Sequence, residues 1–455
     1  MVAAVAGSRA SGSFARQLRL AATALALCTM VVAWVLMGER PASADTRAFD
    51  EGSPKVKVGW IGHVFDAKPS TIGLTLSEAK PIATDNSGNL VWAYGARCLL
   101  DPNTTEPVAL VPPYTEHIDA FLLPQANLLM NISNYDMVRG YTSFVLKVSR
   151  AVKAPIAVIG IGSQVRFDDA PLLEEGADMS AAAASAVQLH PQQVAFLKQV
   201  EASGGIITTR GKFTAAIIEG NGLPPPLPLG CPSVFINHNP RLGAVLQRKW
   251  DAVLRRRDPN LRLAVTLPAI PGDQPYPLGL VSLLARRVLE AYPNSVVVLQ
   301  TSRDEDTLDA MHSHFGLYLR PSRIRYFYDV ESWIAGLKSC CDLVWGFRIH
   351  GTMAGVAAEV PGIVIARDFR IRELAEAMAL PTVDMFDPAT METSAGRLDP
   401  DTFDLFDFLA AVKGFDGQRF DARRRKAAKV YSAEFQRMKL PLHPGVEAIA
   451  ELPDT

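Results

Sequence analysis

The chain has 455 residues, 48% hydrophobic and 20% charged, with a formal net charge of -1. That balance describes a folded protein, and it excludes both a disordered chain and a polyanion binder, so nucleic acid is not an expected partner. At about 100 to 200 residues per domain the length implies two to three domains, and two is the working count.

Residues 20–38 carry no charge, whereas Arg9, Arg16 and Arg19 precede them and Glu39 and Arg40 follow. A run of that length can cross a bilayer, and the basic flank before it keeps the N-terminus cytoplasmic. The expectation is a type II membrane protein with a short cytoplasmic tail at 1–19, a signal-anchor at 20–38 and a stem at 39–54. In a eukaryote the remainder would lie in the Golgi lumen. The rival is export through a cleaved signal peptide, because Ala42-Ser43-Ala44 has the small-x-small pattern of a cleavage site. Asn103-Thr104-Thr105 and Asn131-Ile132-Ser133 match the glycosylation pattern and matter only for a luminal domain.

The first α/β series occupies residues 55–236. Residues 56–61 alternate as a strand, and 89–100 show helical spacing. Apolar strands follow at 120–123, 156–161 and 205–209, with helices at 191–202 and 213–219. Polar residues 237–241 mark a domain boundary. A second series runs through 237–455, with strands at 261–267, 295–300, 323–328, 342–346 and 362–366. Helices separate them at 280–291, 305–315, 332–338, 351–359 and 370–379. Strands alternating with helices imply parallel sheets covered on both faces. The expected fold is therefore α/β, two Rossmann-like domains facing a cleft in a GT-B-like arrangement, behind one N-terminal transmembrane helix. The basic run Arg423-Arg424-Arg425-Lys426 reads as the solvated face of a terminal helix.

Cys98, Cys231, Cys340 and Cys341 lie outside the apolar run, and no Cys-x-x-Cys pair appears, which argues against a zinc or redox centre. Cys340-Cys341 is expected to be small core packing rather than a disulfide. His63, His117, His190 and His238 lack metal-type spacing, and His312 with His314 falls on an expected amphipathic helix; all are expected to be structural or surface residues, and no metal site is expected.

The segment Trp345-Gly346-Phe347-Arg348-Ile349-His350-Gly351 ends a strand and opens a helix, where amides and the helix dipole can hold an anion. Arg348 and His350 are two apart. In extended backbone that spacing sends both side chains to one side, setting a guanidinium beside an imidazole able to transfer a proton. Gly351 and Ala354 would let a ligand approach the helix start. The plain alternative is a surface Arg and a capping His at a strand end.

Arg348-x-His350-Gly351, a helix of small residues, and Val360-Pro361 opening a strand that ends in Asp368 resemble the C-terminal signature of the polysaccharide pyruvyl transferases. Thr84-Asp85-Asn86-Ser87-Gly88-Asn89 resembles that family's N-terminal loop. Gly160-Ile161-Gly162-Ser163-Gln164 resembles its Gly-x-Gly-x-Gln strand end, and Thr208-Thr209-Arg210 with Gly230-Cys231-Pro232-Ser233 its central elements. The matches fall in family order. The first loop arranges Asp and Gly differently from the commonest Asn-x-Gly-Asp form, and Gly211-Lys212 follows Arg210 where an acidic residue is usual.

The resemblance implies transfer of the pyruvyl group of phosphoenolpyruvate onto two hydroxyls of a glycan sugar as a cyclic ketal, releasing phosphate and needing no cofactor. Phosphoenolpyruvate carries a phosphate and a carboxylate, so Arg210 and Arg348 are the candidate anchors, beside Ile349 and Gly351. His350 is the candidate acid/base, with an ordinary imidazole pKa. Gly162, Ser163 and Gln164 are expected to face the same cleft, and Asp85 and Asn86 either bind the sugar or cap the helix behind them. Two other functions fit the architecture: a nucleotide-sugar glycosyltransferase, and a catalytically silent glycan-binding protein.

Overall fold

The computed structural model of the chain describes residues 55–61, 86–110, 113–114, 116–165, 184–268, 278–387, 391–412 and 414–453. The expected tail, membrane span and stem lie outside the described residues, as do Asp85 and His63. Among the described residues no helix is long and apolar enough to cross a membrane.

The first half alternates strands and helices: β1 Val56–Trp60, α1 Gly88–Arg97, β2 Thr105–Ala109, β3 Ala120–Pro124, α2 Arg139–Ala151, β4 Ile156–Ile161, α3 Pro191–Ala202, β5 Ile206–Thr209, α4 Lys212–Gly220 and β6 Leu227–Pro228. The six strands form one parallel sheet in the order β2-β1-β3-β4-β5-β6. Every residue of β3 and β4 is buried, as strands covered on both faces require. Edge strand β2 is mostly exposed, so it carries no apolar signal in the sequence.

The second half begins with α5 Leu242–Arg256, a helix directly after the polar boundary expected at 237–241. It continues with β7 Leu263–Thr266, α6 Leu278–Ala291, β8 Val296–Leu299, α7 Ser302–Phe315, β9 Ile324–Tyr326, α8 Val330–Cys340, β10 Leu343–Gly346, α9 Ile349–Ala357, β11 Gly362–Ala366, α10 Phe369–Ala377 and β12 Thr382–Asp387. Short antiparallel β13 Glu392–Thr393 and β14 Gly396–Arg397 follow. The parallel core has the order β9-β8-β7-β10-β11-β12. The chain direction across that sheet reverses between β7 and β10, the crevice where doubly wound sheets bind ligands. Both parallel sheets bear out the α/β class.

Three helices close the chain: α11 Leu405–Ala411, α12 Gly417–Arg437 and α13 Pro444–Ala450. The C-terminal segment returns to the first half. Tyr431 Oη lies 3.4 Å from Thr208 Oγ1, and Arg437 Nη1 donates to the Gly204 carbonyl at 2.7 Å. One hydrophobic cluster joins Leu122, Ile159 and Val234 to Val265, Trp345 and Ile363, so the two sheets share a core.

Two expectations are corrected. Arg424 is not solvated: it is 2% exposed and donates to the carbonyls of Val234 (3.0 Å), Asn237 (2.6 Å) and Asn239 (2.9 Å). These carbonyls lie at and beyond the 3-10 turn Pro232–Phe235, and a five-donor guanidinium can serve several such acceptors at once. Cys340 and Cys341 are joined as a disulfide rather than packed as free thiols. The backbone passes from helix to extended at Cys341 (φ −134°), where the two side chains meet.

Candidate active site

The C-terminal ends of strands from both sheets converge on one cavity, lined by Arg210, Arg348, Arg367 and Arg370, by the carboxamides of Asn86, Asn89, Asn127 and Gln300, and by Ile349 and His350. Its described lining contains no carboxylate. Arg210 follows β5, His350 opens α9 after β10, and Arg367 and Arg370 follow β11. The first-turn amides of α9 carry no side-chain cap, so donors dominate this surface.

Arg210 is 1% exposed, and its Nη2 lies 3.3 Å from His350 Nε2. Its Nε and Nη1 are buried without a hydrogen-bond partner among the described residues. Burial lowers its pKa to about 10, which leaves the guanidinium charged at neutral pH. Glu373 and Asp368 bring negative charge near it, but its two orphaned nitrogens are costly to bury unless an acceptor completes them. Gly162 makes room for it: a Cβ there would stand 2.6 Å from Arg210 Cδ.

His350 differs from the expected ordinary imidazole. Burial first, then the positive charges of Arg210, Arg370 and Arg348, hold its pKa well below the usual value. The ring is therefore neutral in the free protein, and a negative ligand would raise its pKa again.

Arg348 and His350 do not point the same way, because the helix begins at Ile349 and ends the alternation of extended backbone. The Arg348 guanidinium turns toward β8, donating to the Leu267 carbonyl (3.1 Å), to Thr301 Oγ1 (3.2 Å) and to buried Asp304. Asp304 also accepts the Gln300 amide at 2.7 Å. Across the switch, the backbone N–H of Arg348 donates to Thr266 Oγ1 at 3.2 Å. Arg348 thus ties the two strands of the crevice to α7 while one face of it borders the cavity.

The other expected residues divide. Ile349 and Asn86 line the cavity, and Asn86 Oδ1 also accepts the Gly88 N–H at 3.0 Å, so it caps α1 as well. Ser163 is fully buried, with its N–H donating to Thr214 Oγ1 at 3.1 Å. Gln164 is half-buried, with its N–H on the Leu129 carbonyl at 3.1 Å. Neither lines the cavity, and Gly351 packs against Thr266 and Gln300.

Behind Arg210 a second layer joins the halves. Glu373 of α10 accepts the Thr214 N–H at 2.9 Å and the Thr214 hydroxyl, and a Cβ at Gly211 would stand 3.0 Å from its carboxylate. Burial raises the Glu373 pKa to about 7 against the lowering effect of Thr214 and Arg210. On the far side of α10 lies a wider cleft of about 880 Å³, bordered by Lys212, Arg419 and Lys426; none of the candidate catalytic or substrate-binding residues lines it.

The model of one family, polysaccharide pyruvyl transferase, matches residues 102–369, well over half of the chain. The chain belongs to the polysaccharide pyruvyl transferase family. The match spans Arg210, Arg348 and His350, and membership supports a transferase. No curated protein matches the sequence. Among solved structures, a UDP-N-acetylglucosamine 2-epimerase from Listeria monocytogenes is 14% identical with a TM-score of 0.38, over 83% of this chain and 96% of that one. The UDP-GlcNAc 2-epimerase of Neisseria meningitidis, bound to UDP-GlcNAc, is 10% identical with a TM-score of 0.32, over 88% and 99%. Likenesses this low carry no inference about substrate.

Sequence reasoning missed Asn89, Asn127, Gln300, Arg367 and Arg370 in the lining of this cavity, and Asp304 and Glu373 behind it. Arg367 and Arg370 had a usable signal: they follow an unbroken apolar strand, as Arg348 does.

Proposed function

We propose that the protein transfers the pyruvyl group of phosphoenolpyruvate to two hydroxyls of a glycan sugar. One observation carries the reading: a buried, orphaned Arg210 guanidinium stands against a neutral His350 in a cavity of arginines and amides without a carboxylate. Such a cavity suits a small substrate with two anionic groups. Arg210 and Arg370 are the anchors for its phosphate and carboxylate, with Arg367 beside them. Arg348 holds the start of α9 through Thr301 and Asp304 and adds positive charge at the cavity edge.

Neutral His350 accepts the proton of the first sugar hydroxyl, and the imidazolium so formed delivers it to the methylene carbon. The hydroxyl oxygen bonds to the central carbon as the C=C bond opens to a methyl group, giving a tetrahedral phosphate adduct. In the second step the other hydroxyl oxygen bonds to that carbon, the C–O bond to phosphate breaks with its electron pair, and the second hydroxyl proton leaves by way of His350. The products are a cyclic ketal and inorganic phosphate. Asn86, Asn89 and Asn127 face the acceptor, since carboxamides offer hydroxyls both a donor and an acceptor.

The test is phosphate release from phosphoenolpyruvate in the presence of a panel of glycosides. The wild-type chain should release phosphate with at least one acceptor, and His350→Ala should lower the rate by about a hundredfold or more. Unchanged turnover in His350→Ala would remove the histidine from this role.

A further inference from the structure

Gln300 stands at the end of β8 with 2% of its surface exposed, and its backbone is fully used. Its N–H donates to Asp304 Oδ2 at 2.7 Å, and its carbonyl accepts the Ser87 N–H at 3.0 Å. Its side chain lies between the starts of two helices from opposite halves of the molecule. A Cβ at Gly88, the first residue of α1, would stand 2.5 Å from Gln300 Oε1; one at Gly351, in the first turn of α9, would stand 2.6 Å from Nε2. Both positions leave the amide its room only because they are glycine. Yet Nε2 is buried with no hydrogen-bond partner among the described residues. A buried donor left unmade costs about 1–3 kcal/mol. The surface around it is rich in further donors, the uncapped amides of α9 and the orphaned nitrogens of Arg210, and the carboxamide oxygens of Asn86 and Asn127 that share the cavity make no hydrogen bond to it.

We propose that Gln300 is a donor-substrate binding residue whose Nε2–H is completed by an anionic oxygen of phosphoenolpyruvate seated at the N terminus of α9. This rests on the pyruvyl-transfer reading. Gln300 does what another arginine could not. It adds a directed hydrogen bond to the anion without a further positive charge beside His350, where three guanidiniums already oppose protonation. The oxygen belongs either to the phosphate or to the carboxylate, and the two are separable by fragment.

The experiment is calorimetric titration of the full chain with phosphoenolpyruvate, inorganic phosphate and pyruvate in turn, for wild type, Gln300→Leu and Gly88→Ala. Leu keeps the bulk and removes the amide; Ala at 88 keeps the amide and displaces it. Both variants should bind phosphoenolpyruvate about tenfold more weakly. A loss confined to the phosphate titration assigns Nε2 to the phosphate, and one confined to pyruvate assigns it to the carboxylate. Wild-type affinity for phosphoenolpyruvate in a folded Gln300→Leu overturns the inference, including the case where only its melting temperature falls because the amide merely capped α9. Should Gln300→Leu not fold, Gly88→Ala decides by the same criterion. A wild type that binds phosphate but not phosphoenolpyruvate ends the pyruvyl reading alone if the phosphate affinity still depends on Gln300, and a wild type that binds none of the three ends both.

Discussion

Arg210 and His350 meet at 3.3 Å although they belong to different sheets and lie 140 positions apart in sequence. Each sets the state of the other: Arg210 helps keep His350 neutral, and the imidazole leaves Arg210 two nitrogens to offer an anion. Arg210→Met should therefore weaken phosphoenolpyruvate binding about a hundredfold, near the upper range for a charge-assisted pair. It should also raise the His350 pKa, visible as a shift of the imidazole titration by NMR. Arg210→Met with unaltered affinity would place the anion elsewhere.

Glu373 has a folded-state pKa of about 7 against an ordinary 4.5, so the folded protein binds the proton more tightly than the unfolded chain. Its contribution to stability is complete below about pH 4.5 and is lost as pH rises through 7. Glutamine at 373 keeps an acceptor for the Thr214 N–H and never ionises. Melting curves should show Glu373→Gln gaining on wild type by about 3 °C between pH 5 and pH 8. A difference that is the same at both pH values would rule out ionisation of Glu373 as its origin.

Arg424 satisfies three backbone carbonyls from a buried position on α12. Its replacement by Met preserves much of the stem and removes every donor. Denaturant unfolding should show a loss of about 3 kcal/mol, and phosphoenolpyruvate affinity should hold under conditions where the variant is folded. A loss under about 0.5 kcal/mol, the size of an ordinary surface change, would mean that water replaces the guanidinium at no cost.

Much of the scaffold was legible because buried parallel strands are unbroken apolar runs: residues 156–161 and 362–366 were read with the bounds the structure has. Edge strand β2 was not, since exposure removes the apolar pattern, and α5 was not, since Arg and Lys share its sequence with the apolar stripe. Arg348 and His350 could be read as site residues from local sequence. Their divergence could not, because it depends on where α9 starts and on Asp304, which is 44 positions earlier. The depressed pKa of His350 likewise comes from Arg210 and Arg370, brought in by other strands. Arg424 was misread for the converse reason: charge on a terminal helix is usually solvated, and only the carbonyls around Asn237 give it a buried partner.

The central claim is that phosphoenolpyruvate binds in the Arg210–His350 cavity and, by bringing negative charge to a neutral imidazole, raises its pKa. Binding near pH 7 should then take up a fraction of a proton at His350. Calorimetric titration of phosphoenolpyruvate in two buffers of different ionisation enthalpy measures that proton directly. The account predicts proton uptake by the wild-type chain, with binding retained but the uptake reduced in His350→Asn. No binding, or the same uptake in both proteins, would contradict it.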